Sequence, residues 1–368
     1  MKRRFLSEDA QARFDEARFE AIRRIGEIAR GEDCEFVLVC GDVFESNAVD
    51  RRSVARALEA LSHIPVPVYL LPGNHDPLDG ASVYRSRTFR EGAPAHVHVL
   101  DDAQPRTLRP GLELVGMPWC SKRPGRDLVA EACTALAPAA GVIRIGAAHG
   151  SVDTLSPDRD DPARIALSGA EAAIADGRLH FLALGDRHSR TGVGGTGRIH
   201  YAGAPEPTDW NEVAPGFVLV VDVDDTRVDV AARPVARWRF VRRRGVPLAG
   251  AADLELLEAE LAALPDKGRC ILRLDFEGTL DLRGMAQLEA ILEHARDVFA
   301  CVDVWEPDNR LAVLPADGDF DALGLSGFAA RAVAGLRERA AATGEDAGAA
   351  RDALALLVRL AAGAEAAG

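Results

Sequence analysis

The sequence predicts a layered α/β domain followed by a smaller α+β unit and a helical tail. Two features predict the first domain: short apolar runs of strand length bounded by glycine or proline, and amphipathic stretches of helix length between them. A strand–helix–strand–helix–strand order after Arg237 predicts the second unit. With 368 residues the chain has room for both, each with its own core.

Residues 7–30 read as an amphipathic helix with Ser7 as N-cap and Gly31 at its end. FVLVC (36–40) is an apolar strand closed by Gly41, residues 50–62 form a second helix, and VPVYLL (66–71) is a strand stopped by Pro72-Gly73. The runs LELVGM (112–117), GVIRIGAA (141–148) and LHFLALG (179–185) are further strands, with helical patterns between the later ones. From Ile199 the runs RIHYAGA, GFVLVVDVD and RVDVAARPV are separated only by turns, which predicts an antiparallel meander closing a mixed sheet. Then come WRFVRRR, a helix over 252–264, RCILRLDFEG, a helix over 284–294 and VFACVDVWE. The Ala-rich tail from Leu325 is helical, and its Leu/Val face either packs on its own domain or docks a partner. The expected bounds are 1–236 for the large domain, 237–315 for the α+β unit and 316–368 for the tail.

The net charge of −13 argues against a protein that coats nucleic acid by bulk electrostatics; it leaves room for a DNA enzyme whose metals supply local positive charge. No apolar run is long enough to span a membrane, and the N-terminus lacks the apolar centre of a secretory signal. Six scattered cysteines without CxxC spacing read as reduced thiols of a cytoplasmic protein.

Four motifs follow the ends of predicted strands, where the ligand-binding loops of α/β sheets gather. They are GDVFES with Asp42, PGNHD with Asn74, His75 and Asp76, AAHGS with His149, and LGDRHS with Asp186 and His188. Taken singly, GDVFES reads as an Asx turn and AAHGS and LGDRHS as carrying core histidines, whereas Asn-His-Asp together at a strand end is unusual. Together, carboxylate, amide and imidazole make a mixed N/O donor set suited to manganese, iron or zinc, with no thiolate in any loop. One carboxylate can bridge two metals about 4 Å apart, and such a pair serves in-line displacement at phosphorus. His75 could protonate a leaving oxygen, with Asp76 orienting its ring.

The series GDxxE, GNHD, HG and GDxH resembles the calcineurin-like metallophosphoesterases. VYLLPGNHDP and ALGDRHS with YAGAPEPTDW further resemble the SbcD-type DNA-repair exonucleases. The resemblance implies two mixed sheets packed face to face with helices outside (α-β-β-α), plus a small capping domain. It also implies two divalent ions, Mn2+ in this branch, and hydrolysis of DNA phosphodiesters. An SMC-like coiled-coil ATPase would be the partner, as a separate chain because no P-loop pattern occurs here; dimers are common in the branch. Carried over by motif, Asp42 bridges the metals, Asn74, His149 and Asp186 complete one, His188 binds the other, and His75 acts on the phosphate.

Two departures stand out. Asp186 occupies the first histidine position of the usual GHxH. The family's opening Asp-X-His or Asp-X-Gln motif does not occur before GDVFES, since Asp9 and Asp15 lie in a helical pattern and Asp33 begins a strand. The expectation is that Met1 is an internal methionine preceded by roughly 15 further residues, a strand and its loop.

Arg237, Arg239, Arg242, Arg243 and Arg244 form the densest basic stretch, either a strip for DNA phosphates or a strand with one solvated face. Trp119, with Lys122 and Arg123, either lines a cleft or belongs to the core. His63, His180, His200 and His294 stand outside the motifs and read as structural. Phosphomonoesterase or small-molecule phosphodiesterase activity, or a non-catalytic scaffold, are the alternative readings.

Overall fold

The computed structural model describes residues 3–138, 140–156, 158, 160–313, 327–341, 349–350, 353–354 and 357. The chain divides into two compact units, one of Ala12–Trp238 and the other of Lys2–Gln11 with Arg239–Gly368.

Helix α1 (Glu8–Gly31) opens as its sequence predicts: the Ser7 hydroxyl oxygen accepts the Ala10 N–H at 3.2 Å. Phe14, Ala17 and Ala21, at i, i+3 and i+7, are buried along one face, and Phe14 meets Trp238 edge-on at 5.1 Å. Strands β1 (Val37–Cys40), β2 (Val68–Leu71) and β3 (Val97–Val99) form a parallel sheet in that order, with α2 (Arg51–Ser62) and α3 (Arg87–Gly92) between them in sequence. Asp50 caps α2 by accepting the Ser53 N–H at 2.9 Å.

The second sheet takes β4 (Arg106–Arg109), β5 (Leu112–Met117), β6 (Ile143–His149), β7 (Phe181–Gly185), β8 (Thr191–Gly192) and β9 (Ile199–Tyr201) in the order β4-β5-β6-β7-β9-β8. Helices α4 (Leu128–Ala135) and α5 (Leu167–Ala175) lie on its outer face. Asp127 caps α4 and also accepts the N–H of Ala166, which precedes α5.

Alternation sorts the side chains into layers. Tyr69 and Leu71 of β2, Leu114 of β5 and Ala147 of β6 are buried between the two sheets. Val68 and Leu70 face α2, whereas Val115 and Met117 face α4 and α5. The result is the α-β-β-α sandwich that the motifs predict.

One expectation is corrected. Strand β9 does not open an antiparallel meander; it pairs parallel to β7, Leu182 opposite Ile199, with β8 folded antiparallel against its outer edge. The thirteen residues between Gly185 and Ile199 are long enough for a parallel crossover. The antiparallel pattern does hold for β10 (Phe217–Val223) and β11 (Val228–Pro234), which form a two-stranded sheet of their own.

In the second unit β12 (Arg239–Leu248), β13 (Cys270–Leu280), β14 (Cys301–Val304) and β15 (Arg310–Val313) are all parallel, with β13 paired to the other three. Helices α6 (Ala251–Ala263) and α7 (Leu282–Val298) cover one face, burying Leu254, Leu257, Leu288 and Leu292 against Leu272, Leu274 and Phe276. Of the predicted tail, α8 (Gly327–Ala341) and a few later residues are described, and the rest of 316–368 lies outside the described residues. No helix among the described residues is long and apolar enough to cross a membrane.

Candidate metal centre

Four of the predicted ligands meet where β1, β2, β6 and β7 end. His149, the last residue of β6, is 3 % exposed. Its Nδ1 lies 2.8 Å from the Cys40 carbonyl oxygen, an acceptor, so in the neutral ring Nδ1 carries the hydrogen and Nε2 keeps its lone pair. Around Nε2 stand Asn74 Oδ1 at 2.9 Å, Asp42 Oδ2 at 3.4 Å and Asp186 Oδ1 at 3.8 Å. A lone pair facing an amide oxygen and two carboxylates needs a proton or a cation among them.

The backbone is shaped for this convergence. Asp42 and Asp186 take positive φ values, 54° and 94°, where non-glycine residues are costly, so the fold holds both carboxylates in place against strain. Three glycines let the loops close. A Cβ on Gly41 would sit 2.1 Å from His149 Nδ1, one on Gly73 2.3 Å from Asp42 Oδ1, and one on Gly185 1.6 Å from the Cys40 oxygen. Trp119 is buried and donates from Nε1 to the His149 carbonyl at 2.7 Å, which decides its role: it supports the histidine from behind and belongs to the core.

His75 and His188 stand at the rim. The His75 N–H donates to Asp42 Oδ1 at 3.0 Å, and its ring Nδ1 lies 3.0 Å from the Glu45 carbonyl, which leaves Nε2 facing outward on an exposed side chain. His188 is close enough to Asp186 and Asp42 to feel their charge, and its Nδ1 contacts Glu212 Oε1 at 2.9 Å.

The protonation equilibria follow the geometry. Burial works to raise the Asp42 carboxyl, but the His149 imidazole and the His75 N–H outweigh it and hold Asp42 below the usual carboxylate range. Burial likewise works to lower His149, and Asp42 overrides it, so the ring is pushed up. Burial raises Asp186. Glu212 raises His188 through their hydrogen bond.

Asp76 does not do what its place in GNHD predicts. It is fully buried and orients the backbone instead of the His75 ring. Its carboxylate accepts the N–H groups of Asp42 (3.2 Å), Phe44 (3.0 Å) and Gly73 (2.8 Å) and the Tyr84 hydroxyl (2.7 Å). It clamps the GDVFES loop to the PGNHD loop, and burial pushes its own carboxyl up.

The basic stretch is divided between engaged and exposed side chains. Alternation along β12 sends its residues to different faces, so it is not one continuous patch. Arg242 is engaged by Asp308 at 2.7 Å and Asp275 at 3.6 Å, and Arg239 donates to the Pro265 carbonyl, whereas Arg237, Arg243 and Arg244 are exposed.

The donors present suit a divalent ion. Atoms bound at about 2.1 Å to a common ion stand about 3.0–3.4 Å apart; Asn74 Oδ1 and Asp42 Oδ2 are at 2.9 and 3.4 Å from Nε2, whereas Asp186 Oδ1, at 3.8 Å, stands farther off. Among the described residues, no group of three or more His, Cys, Asp and Glu side chains is drawn together closely enough to hold a metal ion as it stands.

The family model for calcineurin-like phosphoesterases matches residues 11–221, more than half of the chain. The chain belongs to the calcineurin-like phosphoesterase family. Membership brings metal-dependent hydrolysis of a phosphoester bond, and calcineurin-like phosphoesterases use divalent ions for it. No curated protein matches the chain. Among solved structures, TT1561 of Thermus thermophilus is similar at 9 % identity over 58 % of this chain and 93 % of its own, with a TM-score of 0.38. A second crystal structure is 12 % identical over 60 % of this chain and 95 % of its own, with a TM-score of 0.36. Likeness at this level says nothing of substrate.

Several residues that shape this phosphoesterase site carry no motif signal. Tyr84 lies eight residues beyond Asp76, and the Cys40 and Glu45 carbonyls are backbone atoms that no side-chain pattern reveals. Glu212 could have been noticed only as a carboxylate two residues past YAGAPEPTDW.

Proposed function

We propose that the chain hydrolyses DNA phosphodiester bonds with two divalent ions, Mn2+ by preference, as the nuclease subunit of a complex with an SMC-like coiled-coil ATPase. The observation that carries the reading is the meeting of Asp42, Asn74 and Asp186 around Nε2 of His149, with His75 and His188 at the rim. Asp42, Asn74, His149 and Asp186 would hold one ion, and Asp42 with His188 the other. Such ions when bound activate water and neutralise charge at phosphorus. His75, held at Nδ1 by the Glu45 carbonyl, presents Nε2 to the substrate; in its imidazolium form the ring also carries a proton there, which can go to the leaving oxygen.

Support for DNA comes from the resemblance of VYLLPGNHDP, ALGDRHS and YAGAPEPTDW, and from the exposed Arg243 and Arg244 of a separate second unit. A second reading, a phosphomonoesterase or small-molecule phosphodiesterase, is favoured by the charge of −13 and by the pairing of Arg242 with aspartates.

One assay separates them: end-labelled duplex and single-stranded DNA against nucleoside monophosphates, in Mn2+, with metal content measured alongside. DNA cleavage lost in His75→Ala, at unchanged metal content, supports the nuclease. Hydrolysis of monophosphates alone would establish the second reading, and a chain that takes up one ion or none and cuts nothing would be a scaffold.

A further inference from the structure

We infer that Glu212 is a positioning residue for His188, selecting which ring nitrogen is offered to the metal-binding donors. The inference rests on the two-metal reading and deepens it. His188 Nδ1 lies 2.9 Å from Glu212 Oε1 and 2.8 Å from Thr208 Oγ1. A carboxylate only accepts, so Nδ1 carries the hydrogen and Nε2 keeps the lone pair. Glu212 cannot swing away. Its side chain is 7 % exposed, its Oε2 accepts the Thr208 N–H at 2.8 Å, and the Thr208 hydroxyl donates to Oε1.

The loop that carries Glu212 is in turn stitched to the His188 backbone. Ala204 N–H donates to the His188 carbonyl at 2.9 Å, Arg190 N–H to the Ala214 carbonyl at 3.1 Å, and Val213 N–H to Ser189 Oγ at 3.0 Å. Gly203, at φ +86°, permits the approach, since a Cβ there would come within 2.8 Å of the His188 oxygen and the Arg190 nitrogen. Carboxylate, imidazole and cation in a row is how proteins fix the tautomer and raise the basicity of a ligating histidine. A loop lock alone would need only the Thr208 bonds; the contact to Nδ1 is the part that acts on the ring.

The test begins without metal. Nitrogen-15 NMR of the imidazoles in the metal-free protein, at a pH where His188 is neutral and with His188→Gln for assignment, should show the Nδ1–H tautomer. Manganese titration by calorimetry should then show Glu212→Gln lowering the affinity of one ion about 10–100-fold while the other is kept. The amide can satisfy the Thr208 N–H or Nδ1–H with its oxygen, and turns an N–H2 toward the remaining donor. An Nε2–H tautomer in the unmodified protein, or two ions held at full affinity by Glu212→Gln, would overturn the inference. An unmodified chain that takes up no manganese would remove the two-metal reading instead, and the tautomer would still decide the role of Glu212.

Discussion

Replacing Asp76 by alanine should loosen both loops that carry the metal-site residues before any chemistry is measured. The carboxylate accepts four hydrogen bonds, and those from Phe44 N–H, Gly73 N–H and the Tyr84 hydroxyl are buried. A hydrogen bond to a charged group is worth about 1.5–3 kcal/mol, so three come to roughly 5–9 kcal/mol gross. Burial of the carboxylate itself works against this, as its raised pKa records, and some donors will find water once it is gone. The net cost should be about 3–5 kcal/mol, and Tyr84→Phe, which removes one donor, should cost about 1.5–3 kcal/mol.

Asp76→Asn should fall between them, because an amide oxygen can accept but the amide N–H2 meets a pocket of donors. Native-state hydrogen exchange on the metal-free protein is the direct assay: protection of the Phe44 and Gly73 amides should drop about 100-fold or more in Asp76→Ala. Wild-type protection at both amides, with hydrolysis nonetheless abolished, would refute the structural role and return Asp76 to the catalytic one that its motif predicts.

Gly73→Ala would push a methyl group into Asp42 Oδ1, so calorimetry should find divalent-ion affinity reduced about tenfold or more; unchanged affinity would mean that the loop has room the structure does not show. Glu206 is 4 % exposed and accepts from Arg24 at 2.7 Å and from the Arg237 and Trp238 N–H groups at 2.9 and 3.0 Å, so Glu206→Ala should destabilise the first unit by about 2–4 kcal/mol in thermal unfolding, leaving metal uptake at low temperature intact. Burial pushes the Cys133 and Cys270 thiols up to about 11, and a thiol reacts as its thiolate. At pH 8 about one in a thousand of each is ionised, so a maleimide should label the exposed Cys120 first and leave those two until the chain unfolds or the pH rises toward 11.

What the sequence by itself determined is the local grammar: strands closed by Gly41, Pro72 and Gly185, helices opened by Ser7 and Asp50, and a polar motif at each strand end. These are legible because alternation and capping act over a few residues, and because apolar strands buried on both faces must stack into layers. The gathering of Asp42, Asn74, His149 and Asp186 was legible in residue type and order, since each ends a neighbouring strand.

Only the tertiary structure decided what Asp76 does, since the N–H groups and hydroxyl that claim its oxygens come from both loops and from Tyr84. It also decided that Arg242 is engaged by Asp275 and Asp308, which lie 33 and 66 residues away in sequence. Glu212 became visible only once the loop after β9 had folded back onto His188. Hydrogen bonds of this kind depend on positions to a fraction of an ångström, and those positions are set by packing among residues that no short pattern joins.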